Sequence, residues 1–473
     1  MDRVTEALSP AGDQQIKKPV RALSILAGTL LALATAAAPA RAADPALLVT
    51  VGEVTDTSAV LWARAPAPGR VAARYAPGAG EGSAAPRLVE ASAEPARDLT
   101  VKLRLESLRA GTRYRYTVTQ GAVAVDGEFV SAPAPGSAAP VRLGWSGDLG
   151  SRGNCRHVTT GYPIFRALAQ HRLDLFLFVG DTVYADQICS GPDRMPGSDF
   201  RAGTLEEFWA KHRYNRADPG VQVFSRQTAV YGIWDDHDVR NDFAGPSEPF
   251  MPVGRQAFLD YFPIVPPAEE PGRLYRRFRW GSVLEVFILD TRQYRSRNTD
   301  PDGPDKTMLG SEQKRWFREA VTASSATWKV VVTSVSLSIP TGRAARDSWT
   351  NANFFGFPEP GAGFAAERDA MLDAFRSAGV RNLVFLTADV HHAEILRHQP
   401  TETWAFHEFA AGPLAAFHGI SRPVDQGLNP QTLFALGGIE NFGVVELDAG
   451  FLTVRIIDVN GTVRFLHTIP ATP

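Results

Sequence analysis

Five apolar runs in this 473-residue chain end in an acid. Val141–Trp145 leads to Asp148, and Leu173–Val179 leads to Gly180-Asp181. Thr228–Trp234 leads to Asp235-Asp236-His237-Asp238, and Val283–Leu289 to Asp290. Asn382–Leu386 leads to Asp389-Val390-His391-His392. Together with Trp328–Thr333, their length and their β-branched and aromatic content predict buried strands. Tyr162–Arg172, Ser311–Ala323 and Phe364–Ala378 have helical spacing. In the second of these Trp316, Phe317, Ala320 and Val321 share one face, and Gly379 suits a helix C-cap. Alternating elements of this kind predict an α/β domain over 141–473.

In such sheets ligands bind outside the carboxyl ends of the strands. Carboxylates gathered there repel one another unless a cation compensates. With imidazoles added, the donors are oxygen and nitrogen, which suits Fe, Mn, Zn or Ca. Two metals account for so acidic an edge better than one. A single acid after a strand reads equally well as a turn residue or helix cap. Asp290 reads that way, with Arg292 as its expected partner. His391-His392 also reads as one core and one surface histidine. The co-occurrence of the motifs favours a site.

Residues 44–133 read as an all-β sandwich: short runs at Leu47–Val51, Ala59–Ala63 and Val71–Tyr75, then alternation at Val101/Leu103/Leu105 and Tyr114/Tyr116/Val118, separated by turn residues. Leu108–Tyr116 resembles a turn of fibronectin type III domains. The Ala-, Pro-, Gly- and Ser-rich stretch 131–140 predicts a linker, placed at 134–140.

At the N-terminus Lys17, Lys18 and Arg21 precede the uncharged run Ala22–Ala38 and the small residues Ala40-Arg41-Ala42. This predicts a signal peptide over 1–43, with a membrane anchor as the alternative. No paired Arg precedes the run, so a Sec-type route to the periplasm or exterior is expected. Removal of 1–43 leaves 44 basic against 48 acidic side chains. That balance gives no sign of a nucleic-acid surface, and no later segment is long and apolar enough to span a bilayer. Apolar residues at 44% and charged residues at 21% exclude a disordered, collagen-like or coiled-coil chain. A monomer is expected. The two cysteines, Cys155 and Cys189, are too few for a disulfide-framed fold or a four-thiolate metal site. In an exported protein they suit one disulfide; a metal ligand or a free buried thiol is the alternative.

The ordered motifs resemble those of the alkaline phosphatase D family of metallophosphoesterases. The segments are Trp145-Ser146-Gly147-Asp148, Val179–Asp186, Trp234–Asp242 and Thr387–His391, supported by Leu289–Arg295, Leu309–Gln313 and Trp328–Ser334. They cover most of 141–395, and the preceding sandwich is similar to that family's N-terminal domain. The resemblance implies a four-layer α/β fold, two mixed sheets flanked by helices. It implies that Asp148, Tyr184 and His391 hold an iron(III)-like metal and that Asp181 bridges to a second position, often calcium. Mn or Zn are alternatives. Asn241 and Asp389 would serve that second position, with Asp236 competing with Asn241. His237 would orient phosphate or protonate the leaving oxygen. The chain departs from the family where Leu149 replaces a Cys beside the first Asp, where Thr387-Ala388 replaces Ser-Gly, and where Asp238 stands for Glu. A Cys155–Cys189 bridge would tie two site loops together.

The implied chemistry is hydrolysis of a phosphate mono- or diester by a metal-activated water, with Asp181 and His237 as catalytic residues. Arg152, Arg156 and Arg240 are candidates to grip phosphate, or are surface charges. A second reading is phospholipase D-like cleavage of lipid head groups, with Phe354–Pro358 as a lipid-facing loop or as core. A third is a non-enzymatic phosphate- or metal-binding protein. Residues 190–225 and 340–365 are expected to form a loop rim or lid.

Overall fold

The computed structural model describes residues 46–81, 85–151 and 153–472. The expected signal peptide and Arg152 lie outside the described residues. The first seven strands are β1 (Leu48–Gly52), β2 (Ala59–Arg64), β3 (Gly69–Pro77), β4 (Arg87–Ala93), β5 (Thr100–Leu105), β6 (Arg113–Gln120) and β7 (Val123–Val130). β3 and β6 alternate in burial, as strands with one solvated face must, whereas β1 and β2 are buried along their length. β4-β3-β6-β7 forms a separate sheet. The Tyr114 hydroxyl accepts from the Arg109 N–H at 2.8 Å, a tyrosine corner that pins the turn before β6. β1-β2-β5 is not free-standing. β1 pairs in parallel with β10 (Ala229–Ile233), so these three strands extend the main sheet.

That main sheet has nine strands. Its parallel centre is β8 (Val141–Ser146), β9 (Leu175–Val179) and β10. β18 (Asn441–Leu447), β19 (Phe451–Asp458) and β20 (Val463–Pro470) extend it antiparallel beyond β8. The second large sheet has seven strands in the order β11 (Arg276–Trp280), β12 (Leu284–Ile288), β13 (Trp328–Val332), β14 (Leu383–Thr387), β16 (Trp404–Ala410), β15 (Ala393–Thr401) and β17 (Pro430–Leu436).

Side-chain alternation decides the layers. Val286, Ile288, Val330, Val332, Val384 and Leu386 point into the core shared with β8–β10. Phe287, Val331 and Phe385 point the other way, onto Phe317 and Val321 of α5 (Gly310–Thr322) and Phe375 of α6 (Ala365–Ser377). On the far side of the nine-stranded sheet, Phe165 of α1 (Ile164–Leu168) and Phe224 of α3 (Pro219–Ser225) join the same core as β9. The result is the expected α/β stack of two mixed sheets between helices.

The rim expected at 190–225 is a loop only in its first part. Residues Leu205–Arg216 form α2, started by a Thr204–Glu207 capping box, and α3 follows at once behind an Asp218 N-cap. α2 shows no apolar stripe because it buries polar groups: Lys211, His212, Asn215 and Arg216 all face inward. α4 (Met251–Tyr261) packs beside it. Residues 340–365 carry only one short helical turn, at Arg343–Ala345.

Candidate metal centre

Because β8, β9 and β10 run parallel, Asp148, Asp181 and Asp235-Asp236 leave the sheet at one edge. β14 delivers Asp389 and His391 from the second sheet, where a Cβ on Gly147 would already touch the Ala388 methyl. The turns are tight. Asp148 (φ 64°), Asp181 (φ 46°), Asp389 (φ 64°) and His391 (φ 58°) all lie in the left-handed region. Aspartate tolerates that region better than most residues, and these four residues lie together at one edge. Two glycines make room. A Cβ on Gly412 would lie 2.6 Å from Asp148 Oδ2, and one on Gly180 would lie 2.5 Å from the Asp235 Cβ.

Ligand atoms of Asp148, Asp181 and His391 lie within 4.8 Å of one another. So do those of Asp181, Asp236 and His237, of Asp235, Asp236 and Asp389, and of Asp236, Asp242 and Asp347. Tyr184 joins the first group. Its hydroxyl is 3.5 Å from Asp148 Oδ1 and 3.2 Å from His391 Nε2. His391 Nδ1 lies 2.8 Å from the Phe417 carbonyl, which can only accept. Nδ1 therefore carries the proton, and Nε2 presents a lone pair to the cluster. Burial holds the ring neutral, with its pKa lowered to about 3.

The acids are short of partners. Asp148 Oδ2, Asp181 Oδ2, Asp235 Oδ2 and Asp389 Oδ2 are buried with no hydrogen bond among the described residues. Burial first, then neighbouring acids, holds Asp148, Asp181 and Asp389 well above the usual carboxylate range. Burial and Asp181 likewise raise Tyr184. Bare, unpaired, buried carboxylates are costly, so this donor set fits metal ions.

Asp235, Asp236 and Asp347 have a counter-charge of their own. The fully buried Arg292 guanidinium bonds Asp235 at 2.5 Å and Asp347 at 2.9 Å and lies 3.7 Å from Asp236. Burial of Asp236 is outweighed by Arg292 and His237, and its pKa falls to about 2. Arg292 therefore does not pair its guanidinium with Asp290 as expected. Asp290 Oδ1 instead takes the N–H groups of Arg292 and Gln293 and the Trp234 indole N–H.

His237 donates from Nδ1 to Asp186 Oδ1 at 2.7 Å, and Asp186 Oδ2 accepts from the Asn241 N–H at 3.0 Å. Burial opposes a charged imidazole, but Asp236 and Asp186 outweigh it, and the pKa is pushed up to about 9. Asn241 and Arg240 line a cavity beside His237. Arg156 is not brought there. Its guanidinium faces Asp218 at 3.4 Å and the Tyr214 carbonyl at 3.3 Å, which secures the loop to α2. Cys155 and Cys189 form a disulfide, with Cα atoms 5.7 Å apart, so neither is a metal ligand. Sequence reasoning missed Asp235, Asp186, Arg292 and Asp347. The first three sit inside quoted motifs and could have been found there; Asp347 follows no strand and carried no signal.

The fold is that of metallophosphoesterases. It superposes on a solved structure of PhoD with a TM-score of 0.73 and 20% identity, over 92% of this chain and 94% of that one. It also superposes on the purple acid phosphatase PPD1 of yellow lupin (Lupinus luteus) seeds, with a TM-score of 0.61 and 14% identity, over 90% and 74%. Residues 153–431 match the PhoD-like phosphatase family, and the chain belongs to it. Alkaline phosphatase D of Bacillus subtilis (strain 168) is 25% identical over 329 residues, 63% of this chain. The matched part spans 54% of that relative's length.

Proposed function

We propose that this chain is an exported, metal-dependent phosphoester hydrolase acting on phosphate mono- or diesters. The observation that carries the reading is the set of buried, unpartnered carboxylate oxygens on Asp148, Asp181 and Asp389, next to a His391 Nε2 lone pair. Asp148, Tyr184 and His391 would hold one ion, Asp236 and Asp389 with Asn241 a second, and Asp181 both. A phenolate suits ferric iron, and an all-oxygen position suits calcium. Bound there, the ions would acidify a water and neutralise charge on the phosphoryl group. His237, charged near neutral pH and steadied by Asp186, would give a proton to the leaving oxygen. Arg292 would keep Asp235 and Asp236 ionised and in place. The disulfide is compatible with export, and no helix among the described residues is long and apolar enough to cross a membrane.

One observation favours lipid esters as substrates. Phe355 and Phe357 are 73% and 66% exposed, and so are Ile420 (75%) and Phe417 (53%), whose ring stacks 4.0 Å from that of His391. The Phe354–Pro358 loop is thus surface and not core, and Gly356 packs on Pro423 next to the Phe417–Ile420 segment.

The test compares nitrophenyl phosphate, its bis-nitrophenyl diester and a phospholipid, using wild type and Asp181→Asn with metal content measured in both. Turnover in the wild type that falls roughly 10²–10³-fold in the variant, together with metal loss, is expected. Wild-type protein that carries metal and turns over none of the three would falsify the reading.

A further inference from the structure

A cavity of about 500 Å³ opens beside His237, and its walls include Asp186, Arg201, Arg240 and Asn241. Asp186 is already engaged by His237 and the Asn241 N–H. Neither Arg201 nor Arg240 has a carboxylate partner among the described residues. Nearby arginines differ: Arg156 faces Asp218, Arg213 bonds Asp98, and Arg194 holds the carbonyls of Gly153 and Cys155. Both arginines stand on fixed backbone. Beside Arg201, the Ala202 N–H donates to the Ala185 carbonyl at 2.8 Å. Three residues earlier, the Ser198 carbonyl accepts from Cys189 N–H at 2.8 Å and from Lys211 Nζ at 3.1 Å. Arg240 lies 4.5 Å over the Phe250 ring, and its N–H is bonded to the Asp236 carbonyl.

We propose that Arg201 and Arg240 form an anion subsite for a second charged group, a phosphate or carboxylate carried by the alcohol that leaves. The proposal rests on the phosphoester reading and deepens it: the favoured substrates are polyanionic esters. Guanidinium forks match phosphate and carboxylate in two-point contacts. Both arginines are exposed, and a neutral leaving group would offer them no anion to bind.

The experiment measures kcat and KM for adenosine bisphosphate, adenosine monophosphate and nitrophenyl phosphate on purified, metal-containing protein, with Arg201→Ala and Arg201→Lys beside wild type. Wild type should prefer the bisphosphate. In Arg201→Ala the ratio of kcat/KM for bisphosphate over nitrophenyl phosphate should fall roughly tenfold, mainly through KM. Arg201→Lys should recover part of that loss. An unchanged ratio overturns the subsite, and so does an equal loss on every ester, which would assign the arginine to the reacting phosphoryl group. If wild type hydrolyses none of the esters, the parent reading fails, and the subsite is judged by the Kd of adenosine bisphosphate. Weaker binding to Arg201→Ala upholds it; unaltered binding overturns it.

Discussion

Asp389 and Asp290 end neighbouring regions of the same seven-stranded sheet, after β14 and β12, and look alike in sequence. Their surroundings are opposite. Asp290 is saturated: Trp234 Nε1, two backbone N–H groups and the Gln293 amide all donate to it. Asp389 has a buried oxygen with no partner among the described residues and sits with Asp235 and Asp236. Acid after a buried strand is therefore a turn when its oxygens are filled from within the protein. It is a candidate ligand when they are left bare beside other bare oxygens.

The sharpest way to break this comparison is to remove the carboxylate at both places. Asp389→Asn should lower kcat/KM for nitrophenyl phosphate roughly 10²-fold or more. In metal-stripped protein the same change should leave the melting temperature equal or higher, because it removes a repelled buried charge. Asp290→Ala should behave inversely. It strands several buried donors and should cost roughly 3 kcal/mol or more in denaturant melts, with turnover per folded molecule retained. If Asp290→Ala abolishes turnover in folded protein, the distinction fails.

The next contrast is between the disulfide and the metal ligands it neighbours. Cys155 and Cys189 are 34 residues apart, and the double change to Ser should cost about 3–4 kcal/mol. Bound metal should survive it, since no ligand is lost; metal analysis alongside melts checks both halves.

The smallest effect separates the centre from a buried histidine elsewhere. His212 stacks on Tyr261 at 5.1 Å, and its Nε2 has no partner among the described residues. Burial, then Arg216, lowers its pKa from 6.5 to about 3. The unfolded chain therefore takes up this proton near pH 6.5 while the folded one does not. The stability concerned is complete above pH 6.5 and is lost as pH falls toward 3. The raised carboxylates of the metal-free centre act with the opposite sign, losing stability as pH rises. His212→Phe should remove roughly 1–3 kcal/mol of the acid sensitivity between pH 6.5 and 4, read from melts across that range.

The elements legible in the chain were those whose burial is uniform or periodic. β8, β9, β10, β12, β13 and β14 announce themselves as apolar runs, and α5 and α6 by spacing. β15 to β20 and the helices α2 to α4 were not anticipated. In α2 the buried residues mix Phe208, Trp209 and Tyr214 with Lys211, His212, Asn215 and Arg216, and partners of the polar ones lie on distant segments such as Gln187, Ser198 and Thr182. No periodicity rule reads such a face.

Local sequence was enough for the acids at the strand ends, the His237 and His391 motifs, the two cysteines and the family they resemble, because strand formation and turn chemistry are decided by nearby residues. That Asp389 keeps a bare oxygen among the described residues, and that the Trp234 indole reaches Asp290, was decided by tertiary structure. So were the capture of Arg156 by Asp218, the turning of Arg292 toward Asp235 and Asp347, and the freedom of Arg201. The Asp218, Asp235 and Asp347 partners of Arg156 and Arg292 lie 50 or more residues away in the chain, and Arg201 has no carboxylate partner among the described residues. Burial and hydrogen-bond saturation are properties of the packed neighbourhood, and only the fold assembles it.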